Sequence, residues 1–150
     1  MNWVFVVVVF NFTTDRDDVT RVPKASFDMC SDDNEIGDSI EIGPATMRLT
    51  TAGEHYFISS EDTHCQQGQK LAINVTAAPA APITPTPPST KAPPPTSGRA
   101  PVTHVVGDAT GWRIPQGGNM FYVNWATGKE FVVGDSLCKN LSSFPIELKL

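Results

Sequence analysis

Ser59 has an imidazole on either side of it in the sequence, His55 four positions before and His64 five positions after, with acidic residues close by. Hydrolysis would need that hydroxyl within reach of an imidazole base, itself oriented by a third group. The surroundings argue against it. No G-x-S-x-G elbow or similar motif frames Ser59, and such a motif is what presents a serine as a nucleophile. No enzymatic activity is expected. Thiol chemistry falls to Cys30, Cys65 and Cys138, and an odd count leaves at least one cysteine unpaired within a monomer. Asn-x-Ser/Thr sequons at Asn11, Asn74 and Asn140 are glycosylation candidates. The sequon is short enough to recur by chance, so the three are a weak argument for secretion.

The elements that would position these residues read as β. Trp3 to Phe10 spells WVFVVVVF. It lacks the basic n-region and small-residue cleavage site of a signal peptide, and its valines and phenylalanines favour a strand. Val4 to Thr14 is therefore a strand candidate, and a buried strand is preferred over a degenerate signal. Further strand candidates are Val19 to Val22, Ile40 to Ile42, Met47 to Leu49, Glu54 to Ser59 (EHYFIS) and Leu71 to Val75 (LAINV). Turn residues separate them at Ser31-Asp32-Asp33-Asn34, Gly43-Pro44, Ala52-Gly53 and Gln67-Gly68. Later, Val102 to Val106 reads as a strand and Gly107 to Trp112 as a turn ending in a large aromatic. Phe121 to Trp125 reads as core, and Lys129 to Val133 as a strand closed by Gly134-Asp135. No segment carries a long 3.6-residue apolar period, which argues against a helical bundle.

Composition sets the frame. The 150 residues suffice for one ordinary domain. Hydrophobic residues at 40% and charged residues at 18% are globular values. A formal charge of −5 argues against nucleic acid or an anionic membrane as partner. No stretch approaches the roughly 20 apolar residues of a membrane-spanning helix. Residues 76–100 are a different material: eight of the thirteen prolines fall between Pro79 and Pro95, among Ala, Thr and Ser. Such a segment cannot bury a core and favours extended, polyproline-II-like chain. It suits either an O-glycosylated stalk or a plain spacer.

At this point particular motifs become recognisable. VVGDATGW followed by NWATGKEFVVGDSL, in the last part of the chain, resembles the N-terminal half of a phytocyanin, the plant blue-copper type of domain. FNFTTDRDDVTRVPKASFDMC, GEHYFIS and THCQQGQKLAINV, in the first part, resemble the C-terminal half. The resemblance implies an all-β, cupredoxin-like Greek-key β-sandwich. It also implies an extracellular or outer plasma-membrane location, although no signal peptide or lipid-anchor signal is visible. The two halves stand in inverted order. The expected organisation is residues 1–75 as the C-terminal half, 76–100 as linker, 101–138 as the N-terminal half and 139–150 as a divergent tail. Either the chain holds two stumps of tandem domains, or the halves complement each other as a circular permutant would. The linker permits the second. About 25 residues at roughly 3.1 Å each reach some 75 Å, against a radius of gyration near 13 Å for a domain of about 100 residues. The tail CKNLSSFPIELKL, where the family would continue with an apolar strand, suggests a partial or mis-spliced gene model.

A blue-copper site takes two imidazoles and a thiolate in a plane, with a weak axial ligand. The resemblance places the first imidazole at Asp17, the thiolate at Ser59, the second imidazole at His64 and the axial ligand at Gln69. Two of these four positions therefore carry the wrong residue. A carboxylate and a hydroxyl cannot supply copper–thiolate chemistry, so the retained pair is expected to be insufficient. His55 reads as a strand histidine near the core and not as a ligand. The resemblance also pairs Cys30 with Cys65 in a disulfide, against the alternative of two free thiols in a reducing compartment, and leaves Cys138 over. The implied function is a degraded phytocyanin of stellacyanin or early nodulin-like type: a non-redox cell-surface or cell-wall binding or structural module. Its partners would be wall glycans or glycoproteins, and it would have no cofactor. The alternative is the family's own activity, copper-binding electron transfer.

Overall fold

The computed structural model describes residues 5–77 and 102–133. Most of the proline-rich segment, Cys138, Asn140 and the divergent tail lie outside the described residues.

The apolar run near the N-terminus forms β1 (Val6–Phe10). Val6, Val8 and Phe10 face the core, while Val7 and Val9 are half-buried, the period of two expected of a strand. Next come β2 (Thr20–Val22), α1 (Lys24–Met29), β3 (Ala45–Leu49), β4 (Gly53–Ile58) and β5 (Lys70–Ala77). Beyond the linker lie β6 (Thr103–Val105), α2 (Phe121–Ala126) and β7 (Phe131–Val133). The strands form two sheets, ordered β3-β1-β6 and β2-β4-β5-β7.

Residues 102–133 add one strand to each sheet. β6 runs parallel to β1 with Val7 opposite Thr103, and β7 runs parallel to β5 with Val75 opposite Phe131. A single buried cluster joins Phe10, Leu49, Phe57 and Ile73 to Trp112, Tyr122, Trp125 and Phe131. The architecture is a β-sandwich filled from both sides of the linker. Gly68, at φ +104°, lies against Gly118 of the last part, where a Cβ would come within 2.8 Å of backbone atoms.

The sequence reading needs correction in several places. Two short helices interrupt the all-β pattern. Phe121 to Trp125 is helical, and burial of Tyr122 and Trp125, three residues apart, is one face of a single turn and a half. Helix α1 opens after Pro23, carries a Lys24–Asp28 ion pair at 2.6 Å and stops where Cys30 turns left-handed at φ 50°. Ile40 to Ile42 makes only an isolated bridge, Ile40 to Val19. β1 ends at Phe10, because the chain then leaves the sheet in a loop that includes Asp15 at φ 67°.

Candidate metal centre

Sheet register gathers the candidate ligands at one end of the sandwich. Ile58, the last residue of β4, pairs with Thr20 at the start of β2 and with Lys70 at the start of β5. Asp17, just before β2, is thereby brought beside the β4–β5 loop, which contains Ser59, His64 and Gln69.

Three of the four candidates meet. Asp17 Oδ1 accepts a hydrogen bond from Gln69 Nε2 at 3.0 Å and lies 3.4 Å from His64 Nδ1. His64 Nδ1 and Gln69 Oε1 are buried without a hydrogen-bond partner, and Gln69 is fully buried. Ser59 instead donates its hydroxyl to Asp18 Oδ1 at 2.7 Å.

Asp18 is the residue that sequence reasoning missed. Its side chain accepts from Ser59, from Ser60 N–H at 2.8 Å, from Ser39 Oγ at 3.0 Å and from the Ser60 hydroxyl. Burial pushes its carboxyl up, but the hydrogen bonds from Ser60, Ser59 and Ser39 together outweigh burial and hold it below the usual carboxylate value. Its carbonyl accepts from the Trp112 indole at 2.8 Å. The available signal was a pair of acids directly before an apolar strand residue, of which only one can face outward when alternate residues face opposite ways.

His55 is structural, as its sequence context suggested. It is 3% exposed and held between the Arg21 guanidinium at 2.7 Å and the Thr51 carbonyl at 2.9 Å. Burial lowers its pKa, and the Arg21 charge adds to this. Cys30 and Cys65 form a disulfide. Asn11 and Asn74 are exposed.

The donors around Asp17 are an imidazole, a carboxylate and an amide. A copper–thiolate centre needs a sulfur anion, and both cysteines among the described residues are bonded to each other. These residues do not fit such a centre. Among the described residues, no three His, Cys, Asp or Glu side chains gather in a way that could hold a metal ion. Beside the cluster lies an open depression of about 300 Å³ lined by Arg16, Asp17, His64, Arg113 and Ile114.

Residues 5–69 match the family described as "Plastocyanin-like domain". Cucumber peeling cupredoxin from Cucumis sativus is 43% identical over 72 residues, 47% of this chain and 53% of that protein. A blue copper protein from Arabidopsis thaliana is 39% identical over 71 residues, 47% of this chain and 36% of that protein. The solved cucumber stellacyanin is 40% identical at a TM-score of 0.45, covering 49% of this chain and 67% of that one. The chain thus spans about half or less of the length of these two curated relatives. On the family match and the identity to cupredoxins of this type, the chain belongs to the phytocyanin family.

Proposed function

We propose that this chain is a non-redox binding or structural module of the plant cell surface, in which the family's copper position has become a hydrogen-bonded polar cluster. The family resemblance puts Asp17 and Ser59 at the positions of an imidazole and the thiolate, and one observation supports the reading: each is engaged by protein partners. Of the family's ligand positions, His64 and Gln69 alone keep the ligand residue type. No cofactor and no catalytic role follow from such a cluster. The exposed sequons at Asn11 and Asn74 support an extracellular setting, and wall glycans or glycoproteins are the partners that setting offers. No helix among the described residues is long and apolar enough to cross a membrane.

The test is optical. Cu(II) is added to the folded protein and the visible spectrum recorded. No intense band toward the red is expected, and a strong one overturns the reading. Asp17→His with Ser59→Cys should create a blue site.

A second reading, copper-binding electron transfer, is favoured by the unpartnered His64 Nδ1 and Gln69 Oε1, which leave two donor atoms available. The same titration separates the two.

The reading includes assembly of the two halves within one chain: residues 1–75 and 101–138 as permuted halves of one domain, 76–100 as tether and 139–150 as appended tail. The shared core and the two added strands support it. Cleavage in the linker followed by removal of 101–150 should leave residues 1–75 unfolded. A compact remaining fragment would refute it.

A further inference from the structure

We propose that the depression lined by Arg16, Asp17, His64, Arg113 and Ile114 is a binding site for the carboxylate of a sugar acid. The inference rests on the reading of the molecule as a binding module and names that module's ligand class.

The residues come from both sides of the linker, so the site exists only in the assembled sandwich. Arg113 Nε donates to the Thr110 carbonyl at 2.8 Å, which anchors the guanidinium and leaves its outer nitrogens for a ligand. Neither Arg16 nor Arg113 has a carboxylate partner among the described residues. In a chain of net charge −5, two guanidiniums against the single Asp17 carboxylate make a local positive excess. Guanidinium forks match a carboxylate bidentately.

The other lining residues narrow the ligand. The Asp17 interactions with Gln69 and His64 both use Oδ1, so Oδ2 is left to accept a hydroxyl. Ile114 offers an apolar surface for a ring face. About 300 Å³ matches the small end of ligand sites, roughly one sugar ring. Anion, hydroxyl and apolar ring face together describe a uronate.

Isothermal titration of the full chain with tri-galacturonate, trigalactose and inorganic sulfate tests this. Tri-galacturonate should bind and trigalactose should not. Arg16→Gln and Arg113→Gln, both at exposed positions, should each weaken tri-galacturonate on the order of tenfold. Asp17→Asn removes the carboxylate that opposes the guanidiniums, so sulfate should bind more tightly, while tri-galacturonate, which also loses a charged hydroxyl acceptor, should gain less. The proposal is overturned by equal binding of trigalactose, by arginine variants that bind like the parent, or by sulfate binding as tightly as tri-galacturonate. Absence of uronate binding with a silent copper spectrum removes this site alone. A blue copper band removes the non-redox reading, whatever the uronate titration gives.

Discussion

The Trp112 indole donates to the Asp18 backbone carbonyl at 2.8 Å, although the two residues stand 94 positions apart. The bond ties the carboxylate hub beside the candidate ligands to the chain beyond the linker. Trp112 is 1% exposed and packs edge-on against Phe10, with ring centroids 5.0 Å apart. Trp112→Phe keeps an aromatic ring but leaves a buried carbonyl without its partner. The expected loss is about 1–3 kcal/mol, seen as a lower urea midpoint at unchanged slope.

Asp18 gives the protein an acid limit. Its folded pKa lies below the usual carboxylate value, because the serine hydrogen bonds outweigh burial, so ionisation favours the folded state. That stability is fully present above the unfolded value and is lost as pH falls through the folded one. Denaturation curves between about pH 5 and pH 2 should show a steep decline, and Asp18→Asn should flatten it. The variant should also be less stable at pH 7 by on the order of 3 kcal/mol, since the serine hydroxyls lose a charged acceptor.

A second pH effect lies nearer neutrality. His55 and His104 both have pKa values lowered from 6.5 by burial, with Arg21 and Lys129 adding to it. A base with a depressed folded pKa stabilises the fold above its unfolded pKa. The contribution is lost as pH falls below 6.5 toward the folded value. Melting temperature should therefore drop as pH is lowered from 7 toward 5. His55→Gln should remove part of that slope, and a variant with the full slope would show that His55 does not contribute.

Gly68 is where the two parts of the chain touch backbone to backbone. Gly68→Ala sets a Cβ within 2.8 Å of the Gly118 carbonyl group, at a φ of +104° that side chains rarely adopt. Destabilisation of about 1–3 kcal/mol is expected, together with faster proteolysis. A substitution at Gly53, which also has positive φ but open space around it, should cost only the backbone strain. The difference between the two isolates the contact.

Much of this was legible in the sequence because strands announce themselves over short spans. VVVVF, GEHYFI and KLAINVTA all fold as strands close to where residue types place them. Helix α2 was hidden because four of its six residues, Phe121, Tyr122, Val123 and Trp125, are β-favouring types, and six are too few to show a period of 3.6. Its helicity comes from packing of Tyr122 and Trp125 into the shared core. The meeting of Asp17, His64 and Gln69 was legible only through the family motif. The orientation of Ser59 toward Asp18 was not, because nothing local distinguishes which of two adjacent acids turns inward. Arg16 and Arg113 stand 97 positions apart by number and share a depression only through the fold.

The Cys30–Cys65 disulfide, which begins where α1 ends, closes a loop of 35 residues that contains β3, β4 and Ser59. Closing such a loop restricts the unfolded chain by about 4 kcal/mol in the chain-entropy model. Cys65 itself is 4% exposed and sits with Val22, Tyr56 and Ile58 in a small satellite cluster. The bond thus also pins α1 to the β4–β5 loop that carries His64 and Gln69. Reduction should lower the urea midpoint by an amount consistent with that figure. It should also loosen the loop, read as faster amide exchange at Gln69, whose N–H bonds the His64 carbonyl at 3.0 Å. Cys30→Ser with Cys65→Ser should reproduce both effects without reductant. Unchanged exchange at Gln69 would show that Asp17 and the Gly68 contact hold the loop without the disulfide.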